Sequence, residues 1–162
     1  MRSLLIFLVL FLPGYSTHAL ACGDSSICLI AGERHYHIRL PAGHNGKTKV
    51  GAIFFAHGLG GRSSGIIQNR NLTRMANRLG VALVALQSKN SDWNIKNSPA
   101  GRSDRSSNEY AYLDNVIKDI TKKFPINKKR LMLAGVSVGG TMTWTMACTC
   151  LLYTSPSPRD RG

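Results

Sequence analysis

A serine between glycines is the residue of this 162-residue chain whose setting most favours chemistry. Ser137 lies in the hexapeptide Gly-Val-Ser-Val-Gly-Gly at 135–140, which follows the apolar segment 130–134 and precedes a segment compatible with a helix. A strand, a G-x-S-x-G turn and a helix form a nucleophile elbow, whose strained turn exposes the serine hydroxyl at the edge of a sheet. Gly135 and Gly139 fit this interpretation, because so tight a turn leaves no room for side chains. The motif therefore predicts nucleophilic chemistry at Ser137.

The tetrahedral intermediate of such chemistry needs backbone N–H groups directed at its oxyanion. In hydrolases with this elbow, one donor belongs to the residue after the nucleophile, here Val138, and the other to a loop after an earlier strand. The segment His-Gly-Leu-Gly-Gly at 57–61 follows an apolar run and is the matching loop. We expect Leu59 to be the second donor, with Gly60 as the alternative, and Gly58 to be a loop glycine.

A serine hydroxyl also needs a histidine to accept its proton and a carboxylate to orient that histidine. In α/β-hydrolases both follow the serine in the chain, in the order serine, acid, histidine. His57 precedes Ser137, so we expect it to shape the loop and not to act as the base. The segment 141–149 contains no Asp, Glu or His. The triad acid and histidine are therefore absent from this chain.

The elements that must position these residues alternate between strands and helices, which predicts a mainly parallel sheet covered on both faces. Strands are expected at 34–40, 50–56, 81–86 and 131–135, and helices at 71–79, 109–124 and 141–148. Between them lie a hairpin turn with an Asn-Gly pair (41–48), a glycine-rich loop (58–65) and a long polar loop (87–108). The expected buried faces consist of Leu72, Met75, Ala76 and Leu79 in one helix, and Tyr110, Leu113, Val116, Ile117, Ile120 and Phe124 in the next.

Both ends of the chain are expected to lie outside the folded domain, which we place at 22–149. Residues 1–21 combine a short basic start, an apolar run and a small-x-small site, as a secretory signal peptide does. An uncleaved anchor and a lipoprotein acylated at Cys22 are the alternatives. Residues 150–162 resemble a translated sequencing-library adapter, the alternative being a genuine Pro/Ser-rich tail.

Composition limits the partners. With 21 Lys and Arg against 8 Asp and Glu, the net charge is +13. We interpret this charge as solvated surface, with an affinity for acidic polymers or anionic membranes as the alternative. We expect no nucleic-acid partner, because no basic stripe is interleaved with aromatic residues.

In an exported chain Cys22 and Cys28 are expected to form a disulfide. No metal or organic cofactor is implied, and Trp93 is expected either to line a substrate pocket or to anchor the polar loop.

Several motifs together resemble one group of proteins. A Cys-Gly near the mature start, a second cysteine and a Tyr-x-Ile-x-Leu-Pro strand at 36–41 precede the His-Gly loop. A Tyr-x-x-x-Val helix then runs into Phe-Pro-Ile at 124–126 and the G-x-S-x-G-G elbow, which leads to Ala-Cys at 147–148. This pattern is similar to secreted α/β-hydrolase esterases of the polyhydroxybutyrate depolymerase and feruloyl or acetylxylan esterase group.

The resemblance implies an N-terminal portion of an α/β-hydrolase fold, truncated after the elbow. By resemblance Ser137 is the nucleophile, Val138 and Leu59 donate to the oxyanion, and the substrate is a polyester or a plant-cell-wall ester. The full-length gene product would be a serine esterase, whereas the truncated chain is expected to be inactive. A serine peptidase or thioesterase of the same fold, and a non-catalytic fragment, are the alternatives.

Overall fold

The computed structural model describes residues 27–30, 34–95 and 108–154, which form one mixed sheet with helices on both of its faces. The strands are β1 (Ile27–Ile30), β2 (Arg34–Arg39), β3 (Val50–Ala56), β4 (Ala82–Leu86) and β5 (Ile126–Gly135). The helices are α1 (Ser63–Gln68), α2 (Arg70–Leu79), α3 (Glu109–Lys123) and α4 (Val138–Thr154). The strand order is β1-β2-β4-β3-β5; the β3–β4 and β3–β5 pairs are parallel and the other two are antiparallel.

The two central strands carry the core. Every residue of β4 is buried, and so are most residues of β3, as expected for strands whose two faces are both covered. One face packs against α3 and α4 in a large apolar cluster that includes Phe54, Val84 and Met142. The other face packs against α1 and α2 in a smaller cluster around Leu83. The expected α/β architecture is therefore confirmed.

Three boundaries differ from the sequence prediction. β5 begins at Ile126, five residues earlier than expected, because Val50 pairs with Ile126 beyond a register shift. Residues 41–48 form a turn but not a hairpin, since β2 pairs with β1 and β4 and not with β3. The helix after the elbow begins at Val138 and continues to Thr154, past the predicted end of the native sequence.

Four further features differ from the sequence prediction. β1 is not among the predicted strands, and α1 begins inside the segment 58–65, which the sequence predicts to be a loop. In α2 only Ala76 is buried, while Met75 and Leu79 are exposed, and in α3 Tyr110 is exposed whereas Tyr112 is buried.

The helix ends follow the expected capping chemistry. The Asn108 side chain accepts a hydrogen bond from the Ala111 N–H at the start of α3, at 3.0 Å. The Asn69 side chain does the same for two N–H groups of α2. Gly80 ends α2 with a φ of +62°, a left-handed conformation that glycine adopts without strain. These caps fix where α2 and α3 begin and α2 stops.

The strand that carries the serine lies at one edge of the described sheet. Within the described residues β5 pairs with β3 alone, and Met132 on its surface is 55% exposed. On the helix that follows, Trp144 is 73% exposed. An edge strand and an adjacent apolar surface of this kind are an aggregation hazard unless another element covers them.

None of the described helices is long and apolar enough to cross a bilayer.

A buried ion pair joins β2 to the start of α3. The Arg34 guanidinium lies 2.8 Å from the Glu109 carboxylate, and the side chain of Glu109 is fully buried. Arg34 also donates to the Gln87 carbonyl and stacks on the Tyr112 ring, 3.6 Å from its centroid. The Glu109 carboxylate accepts from the Asn94 N–H as well. The pair thus holds the segment after β4 against the sheet.

Replacing the buried carboxylate by an amide should destabilise the protein. Glu109→Gln leaves the Arg34 charge without its counter-ion in a buried site, which typically costs about 3 kcal/mol in the free energy of unfolding. The matched control is Asp114→Asn, which removes an exposed pair with Lys118 on the same helix; it should cost less than about 1 kcal/mol. Urea denaturation measures both, and equal losses would contradict the account.

Candidate active site

The turn between β5 and α4 has the geometry of a nucleophile elbow. Ser137 has a φ of +54°, in the left-handed region that non-glycine residues rarely adopt, and it is exposed. β5 remains bonded to β3 up to the turn, because the Val136 N–H donates to the Ala56 carbonyl at 3.2 Å. The Ser137 carbonyl then accepts from the Thr141 N–H at 3.1 Å, at the start of α4. The strained residue is therefore held by ordered structure on both sides.

The glycines around the serine are required by space. A Cβ at Gly139 would overlap the carbonyl oxygens of Ala56 and His57 at the end of β3. A Cβ at Gly135 would overlap the Gly139 carbonyl and lie 2.8 Å from the Gly140 nitrogen. Neither position has a positive φ, so packing and not backbone conformation selects glycine there. This agrees with the sequence argument that the turn has no room for side chains.

The loop at 57–61 lies directly against the elbow. A Cβ built on Gly58 would be 3.4 Å from the Ser137 Cβ. The Gly60 N–H donates to the Ser91 carbonyl at 2.9 Å, so it is already engaged. The Leu59 N–H has no backbone acceptor among the described residues. Of the two candidate donors from this loop, Leu59 is therefore the one whose N–H remains available.

The second candidate donor is the N–H of Val138. Val138 is the first residue of α4, and the first N–H groups of a helix have no acceptor within it. The positive end of the helix dipole lies at the same place and favours negative charge. An N–H group and a helix N-terminus thus lie directly beside Ser137, where an oxyanion would form.

His57 organises the loop with both of its ring nitrogens. Its Nε2 accepts a hydrogen bond from the Ser88 N–H at 3.2 Å, so the proton is on Nδ1, which donates to the Gly58 carbonyl at 2.7 Å. Burial lowers the pKa of His57, and the hydrogen bond to Gly58 only partly opposes that effect. The ring is therefore neutral and fully bonded, as the role of a loop-shaping residue requires.

Trp93 anchors the polar loop from beneath. Its side chain is fully buried, and its indole N–H donates to the His57 carbonyl at 2.8 Å. The rings of Trp93 and His57 lie 5.0 Å apart between centroids. The backbone N–H of Trp93 donates a second hydrogen bond, to the Asp92 carboxylate at 2.7 Å. Of the two interpretations left open by the sequence, the structure favours the anchor.

The structure therefore brings together the elbow and the loop, 80 residues apart in the chain, but it does not bring a base to the serine. Among the described residues, no hydrogen bond joins the Ser137 hydroxyl to a histidine or a carboxylate.

Cys28 is buried in β1, whereas Cys22 lies outside the described residues, so their pairing stays a prediction. No cluster of metal-binding side chains occurs among the residues described.

The polar residues that follow β4 are not among those that the sequence predicts for the site. Gln87 accepts from the Ser63 N–H at 2.8 Å and from the Ser63 hydroxyl at 2.9 Å, and Ser88 and Ser91 bond to the loop at 57–61. Their only signal in the sequence is their place directly after a buried strand. Residues at the carboxyl ends of parallel strands converge at one edge of the sheet, which is where ligands bind in open α/β sheets.

Comparison with solved structures shows which fold this is. A fluorophosphonate-binding serine hydrolase of Staphylococcus aureus matches 72% of this chain and 46% of its own, with a TM-score of 0.55 and 22% identity. An S-formylglutathione hydrolase of Agrobacterium tumefaciens matches 72% of this chain and 48% of its own, with a TM-score of 0.56 and 16% identity. The chain has part of an α/β-hydrolase fold.

A comparison of sequences gives a weaker likeness. Feruloyl esterase D of Neurospora crassa is 26% identical over 118 residues, which are 72% of this chain and 41% of the esterase. No family model matches the chain. The chain thus spans less than half the length of each of these proteins. The expected resemblance to esterases with this fold is supported at that coarse level.

The packing of the elbow predicts opposite effects for two neighbouring glycines. Gly139→Ala forces a Cβ into the carbonyls of Ala56 and His57 and should lower the free energy of unfolding by about 1–3 kcal/mol. Gly140→Ala places its Cβ 3.5 Å from the Gly135 carbonyl, an ordinary contact, and should be neutral or stabilising by up to about 1 kcal/mol. Thermal denaturation of both variants measures this, and a harmless Gly139→Ala would contradict the described packing.

Proposed function

We propose that the whole protein containing this chain is a secreted serine hydrolase of carboxylic esters, with Ser137 as its nucleophile. The observation that carries the proposal is the φ of +54° at Ser137, between two glycines that the packing requires. Strain of this kind persists only where surrounding structure imposes it, and it is typical of functional sites. The likeness to feruloyl esterase D supports the same chemistry.

In the proposed reaction the Ser137 Oγ attacks the carbonyl carbon of the ester and loses its proton to a histidine. The C–O bond of the ester then breaks, the alcohol leaves with that proton, and an acyl-enzyme remains. Water attacks the acyl-enzyme and releases the acid. The N–H groups of Val138 and Leu59 stabilise the oxyanion of each tetrahedral intermediate.

The histidine and the carboxylate of the triad belong to the part of the protein C-terminal to the elbow. His57 does not supply the base, because both of its ring nitrogens are bonded within the loop. Strand β5 has a free edge within the described residues, and Met132 and Trp144 offer an apolar surface beside it. Further strands of the sheet would cover this surface and bring the missing groups to Ser137.

The substrate belongs to one of two classes. A polyester or a plant-cell-wall ester is the first, and the feruloyl esterase likeness favours the cell-wall ester. A thioester is the second candidate, because S-formylglutathione hydrolases share the fold with this chain. The apolar run before the small-x-small site at 19–21 supports export, and an exported protein would meet extracellular polymers.

Removing the nucleophile should abolish hydrolysis without unfolding the protein. In the complete gene product, Ser137→Ala should lower kcat/KM for 4-nitrophenyl acetate by roughly four orders of magnitude or more, as in other serine hydrolases. The variant should unfold at the same temperature as the parent or higher. Full activity in this variant would overturn the proposal.

The DNA that encodes the chain offers a separate test. Re-reading it across the Thr149 codon should show an open frame that continues into different sequence and supplies an Asp and then a His, the triad order of this fold. Residues 150–162 would then be replaced. A gene that ends with the printed tail would leave Ser137 without a base and contradict the proposed activity.

A further inference from the structure

The Gly58 carbonyl, in the loop at 57–61, accepts two hydrogen bonds at once. One comes from the Nδ1–H of His57 at 2.7 Å, and the other comes from the Gly61 N–H at 3.0 Å. A carbonyl oxygen has two lone pairs, so both of its acceptor positions are occupied. The carbonyl therefore cannot turn without losing at least one of these bonds.

The direction of this carbonyl determines the direction of the N–H group that follows it. The Gly58 carbonyl and the Leu59 N–H belong to one planar trans peptide group, in which the C=O and N–H bonds point in opposite directions. The Leu59 N–H therefore points away from the buried His57 ring. It has no acceptor among the described residues, and a Cβ on Gly58 would lie 3.4 Å from the Ser137 Cβ. Holding the Gly58 carbonyl thus orients a free N–H group next to the serine.

The His57 ring is itself held in place by its second nitrogen. Nε2 accepts a hydrogen bond from the Ser88 N–H at 3.2 Å, and the side-chain nitrogen of Gln87 lies 3.5 Å from the same atom. Both neighbours are donors, so Nε2 carries no proton and Nδ1 does. The Trp93 indole N–H holds the His57 main chain, because it donates to the His57 carbonyl at 2.8 Å. The ring thus connects the segment after β4 to the Gly58 carbonyl.

The packing around the ring leaves no room for a side chain at Gly61. A Cβ built there would lie 2.9 Å from the His57 Cβ and 3.0 Å from its Nδ1. It would also lie 2.9 Å from the Gly58 carbonyl oxygen. These separations are shorter than the optimal contact of non-bonded atoms, about 3.5–4.0 Å. A side chain at Gly61 would therefore push the ring and the carbonyl apart.

We propose that His57 is a positioning residue for the oxyanion site, because its Nδ1–H holds the Gly58 carbonyl and thereby directs the Leu59 N–H at the oxyanion. His57 acts on the reaction only through the orientation of this peptide group. The donor stabilises the transition state, so a small displacement of it costs a large factor in rate. The inference rests on the function proposed above.

A matched pair of substitutions tests the inference in the complete gene product. His57→Leu removes the Nδ1–H, whereas His57→Asn has a side chain of nearly the same size as leucine and keeps an N–H donor at the δ position. With 4-nitrophenyl acetate, His57→Leu should lower kcat roughly tenfold to a hundredfold and leave KM close to that of the parent, since only the transition state loses a contact. His57→Asn should recover most of the lost kcat. Equal losses in both variants would overturn the inference, because His57 would then act only by filling space.

Two control variants and one second variant accompany this pair. His44→Leu makes the same change in the turn at 41–48 and should leave kcat unchanged. Gly61→Ala keeps the His57 ring but displaces it, so it should lower kcat as well. Its control is Gly65→Ala in α1, where a Cβ would meet nothing within 4 Å, and kcat should again be unchanged. Parent-like kcat in Gly61→Ala would contradict the inference.

The tautomer of His57 can be measured without any substitution that changes the loop. Nitrogen NMR of isotope-labelled histidine side chains in the unsubstituted protein distinguishes a protonated ring nitrogen from a bare one, and the signals of His57 are those missing from His57→Asn. The proton should be on Nδ1. A proton on Nε2 would overturn the inference, because Nδ1 could not then donate to the Gly58 carbonyl.

Labelling by a fluorophosphonate separates this inference from the proposed function, since its phosphonyl oxygen needs the same N–H donors. If the parent cleaves the ester and His57→Leu keeps the kcat of the parent, the positioning role fails and the esterase stands. If the parent cleaves no ester, but His57→Leu slows the labelling of Ser137 and His57→Asn restores it, the esterase fails and the positioning role stands. A parent that neither cleaves the ester nor becomes labelled would overturn both.

Discussion

The candidate site depends on the contact between Gly139 and the end of β3. The Gly139 backbone lies so close to the carbonyls of Ala56 and His57 that no side chain fits between them. This contact joins the first turn of α4 to the residue that begins the loop at 57–61. It fixes the strained Ser137 relative to the N–H groups of that loop, although the two segments lie 80 residues apart. The proposed nucleophile and its proposed oxyanion donors need this precision, since small displacements cost large factors in rate.

A layer of buried polar residues supports the loop from the other side. Neutral His57 binds its own loop and the Ser88 N–H, Trp93 binds the His57 carbonyl, and the Arg34–Glu109 pair holds the segment after β4. Each donor and acceptor of this layer is costly to leave unpaired, so the layer permits few alternative arrangements.

Burial also lowers the pKa of His35 and His37, so these neighbouring histidines resist protonation in the folded state. At pH values below about 6.5 the unfolded chain gains protons that the folded chain excludes, and stability falls.

The sequence predicts the features that neighbouring residues determine. It does not predict the features that depend on contacts between distant parts of the chain. Ser137 with its glycines and the strand predicted at 81–86 follow from short patterns, and the structure has both. The expected hairpin at 41–48 is wrong because β2 pairs with β4, a choice that no turn residue encodes. The ion pair of Arg34 and Glu109 joins residues 75 apart, so only the folded chain shows it. Glu109 stands at the start of the helix predicted at 109–124, and its burial cannot be predicted from that position.

We propose that the fold activates Ser137 as a nucleophile. The most direct measurement is mass-spectrometric mapping of the adduct formed when the complete gene product reacts with a fluorophosphonate. These reagents are attacked by an activated serine hydroxyl and not by ordinary serines. One adduct is expected, on the peptide that contains Ser137, and none after prior denaturation of the protein. An unlabelled Ser137 in the folded protein, or an adduct on another serine, would contradict it.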